Sequence, residues 1–264
     1  MSKTEQKSHW DKVFSKERAF FGEESSDFAK KSLELFRREG MHKVLDLGCG
    51  QGRDTFLFAR SDLQVTALDY SETAVSALRE KAAAAGLSAS IDAQAYDVRQ
   101  PLPFQEASFD ACYSHMLLCM ELSTAEIAFI LGEIHRVLRP GGMALYSVRS
   151  SFDKHYRVGK HLREEIYEIG GFVVHFFTEE KIRKLAKGFA IQQVDRLEEG
   201  ILPRDLFCVT LRKAATIEEE KLEMSNSMEK FQEAFDAALD PSALDHKTKQ
   251  LVALGAALAA GCDP

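Results

Sequence analysis

No two of the five cysteines, Cys49, Cys112, Cys119, Cys208 and Cys262, form a C-x-x-C pair, and none stands at metal-ligand spacing from another. An odd set without a framework excludes a disulfide-stapled secreted domain, implies no metal, and points to buried thiols in a reducing, cytoplasmic compartment. Basic residues are not in excess either. With 34 Lys and Arg against 41 Asp and Glu the net charge is −7, so no broad phosphate-binding face is expected and nucleic acid is not an expected partner. Long apolar runs are missing as well. The most apolar stretch, residues 251–262, falls short of the roughly 20 residues that a membrane span needs, and residues 1–7 are polar with no apolar signal core. No internal repeat or low-complexity tract stands out.

What is present is an ordinary globular composition, 45% hydrophobic and 28% charged over 264 residues, enough for one large domain or a domain with an appendage. Up to Gly40 the pattern is helical, with Phe28, Leu33, Leu35 and Phe36 between charges and the glycine as a stop. Residues 43–47 form a short apolar run that ends in glycines, which suits a buried parallel strand. Further strands are expected at 64–68, 88–96, 108–114, 143–148, 191–194 and 206–211. Helices are expected at 53–60, 71–85, 123–138 and 178–187. Ser123 and Glu126 make a capping box at the start of one, and the turn Pro140-Gly141-Gly142 ends it. Alternating strands and helices imply a doubly wound α/β fold, with a mostly parallel seven-stranded sheet that binds ligands at the strand carboxyl ends. From residue 214 the texture turns charged and helical. The boundary therefore divides 1–213 from a C-terminal helical appendage over 214–264.

Asp46-Leu47-Gly48-Cys49-Gly50-Gln51-Gly52 follows the first strand and opens a helix. Glycines there let the backbone turn sharply and approach a ligand closely. The spacing is G-x-G-x-G, and a carboxylate two residues before the first glycine suits a cationic ligand end better than a pyrophosphate. Asp69 ends the second strand, where an acid can accept from ribose hydroxyls, and Asp97 follows the third, where an acid can accept from an adenine amino group. Each has a plainer reading: Asp46 as a cap of the turn backbone, Asp69 as a helix N-cap, and Cys49 as a small, inert packing residue.

Residues 44–54, Val-Leu-Asp-Leu-Gly-Cys-Gly-Gln-Gly-Arg-Asp, resemble the first motif of class I S-adenosylmethionine-dependent methyltransferases, and Ala67-Leu68-Asp69 resembles the second. Tyr96-Asp97-Val98 and Leu138-Arg139-Pro140-Gly141-Gly142 fall where that family has later motifs. The likeness covers residues 8–213, and its Gly-Arg-Asp extension with His9-Trp10-Asp11 is similar to the tellurite-resistance and thiopurine-type branch. The resemblance implies S-adenosyl-L-methionine as cofactor. It implies that Gly48, Gly50 and Gly52 admit the methionine moiety, with Cys49 in the loop, and that Asp46 anchors it. Asp69 would hold the ribose with Tyr70 beside the adenine, Asp97 and the Val98 backbone would read the adenine edge, and the Ser114 carbonyl would meet the methionine ammonium.

A small-molecule acceptor would then meet the N-terminal segment and the loops after the fourth and fifth strands. Trp10, Phe21, Arg53, His115, Arg149, His155, Tyr156 and His175 are the candidates there. Trp10 serves as a lid or as packing. Arg53 and Arg149 hold an anionic acceptor or form surface ion pairs. His175 points at the pocket or is a satisfied structural residue. A soft thiol, selenium, tellurium or other metalloid nucleophile needs no general base. An oxygen or nitrogen nucleophile does, and His115, His175 and Tyr156 are the catalytic candidates. The competing readings are a dinucleotide-dependent oxidoreductase, and a noncatalytic S-adenosylmethionine sensor whose tail recruits a partner.

The tail reads as helical segments around 228–235 and 243–262, separated by Pro241, and as a docking or homodimerising element. Residues 222–264 also resemble the opening of the carboxymuconolactone decarboxylase and alkylhydroperoxidase family, with Cys262 in the place of its first redox cysteine. The resemblance breaks off at Pro264, one residue before the second. A selenocysteine codon at the next position is the expectation.

Overall fold

The computed structural model describes residues 3–17, 19–200 and 204–215, together with 228, 230–233 and 235–236. The chain divides into two units, Met1–Ala214 and Ala215–Pro264. The expected tail helices and the redox-family resemblance lie almost wholly outside the described residues.

Two helices rather than one occupy the N-terminal stretch, α1 (Lys3–Lys16) and α2 (Asp27–Arg38). Ser26 caps α2 by accepting from the Ala29 N–H, and the Phe28, Leu33 and Phe36 side chains are buried. The alternating elements follow as β1 (Lys43–Leu47), α3 (Arg53–Ala59), β2 (Gln64–Asp69), α4 (Glu72–Ala84), β3 (Ile91–Ala95), β4 (Phe109–His115), α5 (Thr124–Val137) and β5 (Leu138–Arg149). Both halves of the capping box are formed at Ser123 and Glu126. The proline-glycine-glycine turn departs from expectation by lying inside β5 rather than before it. Glycine is required there, because a Cβ on Gly142 would stand 2.7 Å from the Arg139 carbonyl oxygen and 2.9 Å from that of Asp110.

After β5 comes an element that the sequence did not announce, a three-stranded antiparallel sheet of β6 (Lys160–Arg163), β7 (Ile166–Ile169) and β8 (Phe172–His175). Then α6 (Glu179–Leu185), β9 (Phe189–Glu199) and β10 (Arg204–Lys213) complete the unit.

The main sheet has seven strands in the order β3-β2-β1-β4-β5-β10-β9. Strands β1 to β5 are mutually parallel, and β10 is antiparallel to both β5 and β9. It follows that β9 runs in the direction of the parallel strands. Its last residue and the first of β10 therefore sit at the same edge as the carboxyl ends of β1 to β5. Both sheet faces are covered. Val44 packs into the layer of α2, α3 and α4 with Phe36, Phe58 and Leu78, whereas Leu45 and Leu47 pack into the layer of α5 and α6 with Ile127, Ile130 and Ile182. Burial on both sides explains why β1 reads as an apolar run.

Candidate active site

Leaving β1, the chain turns through Gly48 (φ +74°), Gly50 (φ +51°) and Gly52 (φ +85°). The Gly48 and Cys49 N–H groups donate to the Leu68 carbonyl at 2.7 and 3.1 Å. Gly50 N–H donates to Asp69 Oδ2 at 2.9 Å, and Ser71 N–H to Asp69 Oδ1 at 2.9 Å. Asp69 thus clasps the glycine loop to the end of β2. It is not the N-cap of α4, since Ser71 fills that place. Burial raises its pKa to about 6. Asp46 is buried with the Thr55 hydroxyl donating to it at 2.6 Å. Burial, with Asp54 and Asp69 adding their charges, raises its pKa to about 7.

The loop residues do not all serve alike. Gly48, Cys49 and Gly50 line the large cavity at the strand ends, and Gly52 does not. A Cβ on Gly52 would come within 2.3 Å of Leu78 Cδ1, so this glycine admits α4 rather than a ligand. Burial drives the Cys49 thiol well above its ordinary range, as an inert packing residue requires. Gln51, Arg53 and Asp54 reach back to the N-terminal segment. Gln51 donates to the Glu17 carbonyl at 2.8 Å and accepts from Phe20 N–H at 3.1 Å. Arg53 donates to the Phe21 carbonyl at 3.3 Å, and Asp54 accepts from both the N–H and the hydroxyl of Ser26 at 2.8 Å.

Tyr70, Asp97 and Val98 also line the cavity. The Asp97 carboxylate is engaged by Arg99, Nη2 to Oδ2 at 2.5 Å and Nε to Oδ1 at 2.8 Å. The Ser114 hydroxyl turns into the sheet and donates to the Leu47 carbonyl at 3.0 Å, which leaves the proposed role of its backbone carbonyl untouched, while its neighbours Tyr113 and His115 line the cavity.

The cavity has a volume of about 1110 Å³. Trp10 lines it from α1, stacked on Phe14 at 5.5 Å between ring centres and in contact with Phe20, Phe21 and Phe172. His115 projects from the end of β4, its Nδ1 2.7 Å from Ser147 Oγ. In the tautomer that donates Nδ1–H to that oxygen, Nε2 keeps its lone pair. Nε2 stands 3.5 Å from Glu199 Oε2, a buried oxygen without a hydrogen-bond partner among the described residues. Arg53 is held by Asp54 at 3.1 Å and by Glu199 at 3.5 Å. Arg149 makes a double contact with Asp153, at 2.9 and 2.8 Å, and His155 packs beside it.

Two candidates fall away from the cavity. His175 is completely buried, donating from Nδ1 to the Leu122 carbonyl at 2.6 Å and accepting at Nε2 from Lys181 at 2.6 Å. Burial and the Lys181 charge lower its pKa to about 4, so it is a neutral structural residue rather than a base or an acceptor contact. Tyr156 packs edge-on against Tyr167 and beside Phe176, away from the cavity lining. Glu199, Arg204, Glu121 and Phe172 line the cavity without having been singled out. Glu199 and Arg204 become visible only once the β9–β10 hairpin is placed antiparallel at the sheet edge. Among the described residues no His, Cys, Asp and Glu group is arranged to hold a metal ion, and no helix is long and apolar enough to cross a membrane.

A doubly wound sheet, a glycine turn clasped by the acid at the end of β2, and a cavity over the strand ends define the nucleotide-cofactor site of a Rossmann-like fold. Residues 44–142 match the family described as Methyltransferase domain. A malonyl-[acyl-carrier protein] O-methyltransferase of Erwinia billingiae is 37% identical over 144 residues, covering 51% of this chain and 47% of that protein. A 24-methylenesterol C-methyltransferase 2 of Oryza sativa is 31% identical over 115 residues, 43% of this chain and 31% of that protein. The chain spans about half the length, or less, of such curated relatives. In fold, it is similar to the 1,6-didemethyltoxoflavin-N1-methyltransferase of Burkholderia thailandensis, with a TM-score of 0.62 at 22% identity over 79% of this chain and 87% of that one. It is also similar to TehB from Haemophilus influenzae, with a TM-score of 0.54 at 18% identity over 70% and 62%. Over residues 44–142 the chain is similar to methyltransferase domains, and its fold is the Rossmann-like one of S-adenosylmethionine-dependent methyltransferases. Its donor set fits that cofactor: buried Asp46, with only a hydroxyl donating to it among the described residues, favours a cationic end such as the methionine ammonium.

Proposed function

We propose that this chain methylates a small-molecule acceptor bound beneath the α1 ring cluster, with His115 taking the acceptor's proton. One observation carries the reading: a single cavity is lined both by Asp46, Gly50, Asp69 and Tyr70 and by His115 and Glu199. The cofactor sulfonium supplies a methyl group already activated for displacement. The chain's own task is alignment and the exclusion of water. Asp46 holds the ammonium, Asp69 the ribose hydroxyls, and Tyr70 with the Val98 backbone flanks the adenine. His115 Nε2 accepts the proton released by a nitrogen or oxygen nucleophile, and the Glu199 carboxylate stabilises the resulting imidazolium. The cysteine pattern supports a cytoplasmic setting for this activity.

A second reading keeps the same site and changes the acceptor atom. The cavity wall of Met116, Met120 and the aromatic rings favours a weakly hydrated, polarisable nucleophile. A thiol, selenide or tellurium acceptor of the kind handled by the tellurite-resistance and thiopurine-type branch would need no base. Methyl transfer from labelled S-adenosylmethionine to a panel of amines, phenols, thiols, selenide and tellurite separates the two. His115→Ala lowers turnover of nitrogen and oxygen acceptors by about 10²–10⁴-fold and leaves soft acceptors unaffected. A protein that binds the cofactor and transfers to no acceptor refutes both, in favour of a noncatalytic sensor.

A further inference from the structure

Arg204 is the first residue of β10, half-buried, and lines the cavity. The neighbouring charges are already committed. Arg149 is bound twice by Asp153 and lies over the Phe176 ring at 5.4 Å. Glu199 stands at 3.5 Å from both Arg53 and His115. The Arg204 guanidinium makes no hydrogen bond or ion pair among the described residues; Arg149 adds a like charge beside it, and Glu199 and Asp153 add weaker opposite charges. Burial and that like charge lower its pKa, yet a guanidinium stays charged at any physiological pH. Glu199, its cross-strand neighbour, and Asp153 balance this charge only at a distance, with no hydrogen bond or ion pair to Arg204 among the described residues; a partly desolvated cation so placed is costly, and an anion entering the cavity would offset that cost.

We propose that Arg204 is the anchor of an acceptor carboxylate, so that the substrate class is a small carboxylic acid methylated at another atom. The inference rests on the reading of this cavity as the acceptor site. A guanidinium fork matches a carboxylate in bidentate geometry. The charge balance selects a monoanion over a phosphate dianion. Glu121 and Glu199 line the same cavity, and each carries a buried carboxylate oxygen without a hydrogen-bond partner among the described residues, so a second negative charge would be repelled. A carboxylate whose lone pairs are held by Arg204 is a poor nucleophile, which assigns it to recognition and leaves the His115 side of the cavity for the methylated atom. Trp10 and Phe172 offer the apolar body of the acceptor a ring surface.

The test uses the full chain saturated with S-adenosylhomocysteine, titrated calorimetrically with benzoate, 2-aminobenzoate and 2-mercaptobenzoate and with their carboxamides. The wild-type protein should bind the acids at least about tenfold more tightly than the amides, the range for a charge-assisted pair. Arg204→Gln should erase the preference, and Arg204→Lys, which keeps the charge without the fork, should retain part of it. Equal binding of acids and amides by the wild type, failure of every acid to bind, or a preference that survives in Arg204→Gln overturns the proposal. The readout involves no methyl transfer. A failure of the proposed activity shows instead as a protein that does not bind S-adenosylhomocysteine, or that binds the acids and methylates none.

Discussion

Asp46 should make the ligand-free protein less stable than a neutral residue in its place. Its pKa is raised from 3.8 to about 7 by burial and by the neighbouring Asp54 and Asp69 charges. For an acid whose folded-state pKa lies above its unfolded value, the folded state binds more protons between the two, so stability falls as pH rises through that window. The penalty is absent below about 4, grows up to about 7 and is constant above. Fully developed, the rise corresponds to about 4 kcal/mol. Asp46→Asn removes it while keeping the shape, and the amide oxygen can still accept from the Thr55 hydroxyl that now donates at 2.6 Å. The new NH₂ group is buried without an evident partner, at a cost of about 1–3 kcal/mol. The variant should therefore be more stable than wild type by about 1–3 kcal/mol near pH 8 and less stable near pH 4, with the sign reversing between. Urea unfolding at both pH values measures the difference. Its affinity for S-adenosylmethionine should fall in parallel, because the carboxylate proposed to meet the ammonium is gone. A variant destabilised equally at both pH values would refute the account of Asp46 as a strained charge awaiting a cation.

Three further outcomes are expected. Asp69→Ala removes both the proposed ribose acceptor and the acceptor for Gly50 N–H, and should weaken cofactor binding by about 1–3 kcal/mol in calorimetry; unchanged affinity with an intact fold contradicts the assignment. Gly52→Ala should lower stability by more than about 1 kcal/mol, since it combines φ +85° with a 2.3 Å approach to Leu78, whereas Gly50→Ala, which would meet only the Phe14 ring at 3.5 Å, should act mainly on cofactor affinity; thermal melts and titrations distinguish them. His175→Gln should leave the rate with any accepted substrate nearly unchanged but cost about 1–3 kcal/mol in unfolding, because Leu122 and Lys181 lose a shaped partner. The wild-type His175, with its pKa lowered to about 4, contributes stability that is lost as pH falls from about 6.5 toward 4.

The seven main strands and the glycine clasp were legible because their signals are local: apolar runs bounded by glycine, a capping box, an acid at a strand end. His175 was misplaced for a reason that a strand's own sequence does not reveal. Side chains in a strand alternate, and the parity is set by what the strand packs on rather than by the strand itself. In β8, Phe172 and Val174 line the cavity, so His175 must face the other way. Glu199 and Arg204 were illegible for a different reason. Nothing within residues 189–213 tells whether that hairpin continues the parallel order or reverses it, and only the reversal carries both residues to the ligand edge.

The glycine loop at the proposed cofactor site also grips the N-terminal segment that lines the same cavity. Gln51, Arg53 and Asp54 hold the carbonyls, amides and hydroxyl of residues 17–26, and Ser71 at the start of α4 donates to Asp11 of α1 at 2.5 Å. Substitutions in that segment are therefore not free to drift toward a new acceptor on their own. A change at Ser26 removes a hydroxyl partner of Asp54, and a shift of the backbone at Phe20 or Phe21 disturbs Gln51 or Arg53, side chains that sit one to four positions from Gly50. Acceptor range and cofactor affinity are thereby tied in heredity as well as in space, and a chain evolving a new substrate would be expected to change positions 51, 53 and 54 together with the N-terminal segment.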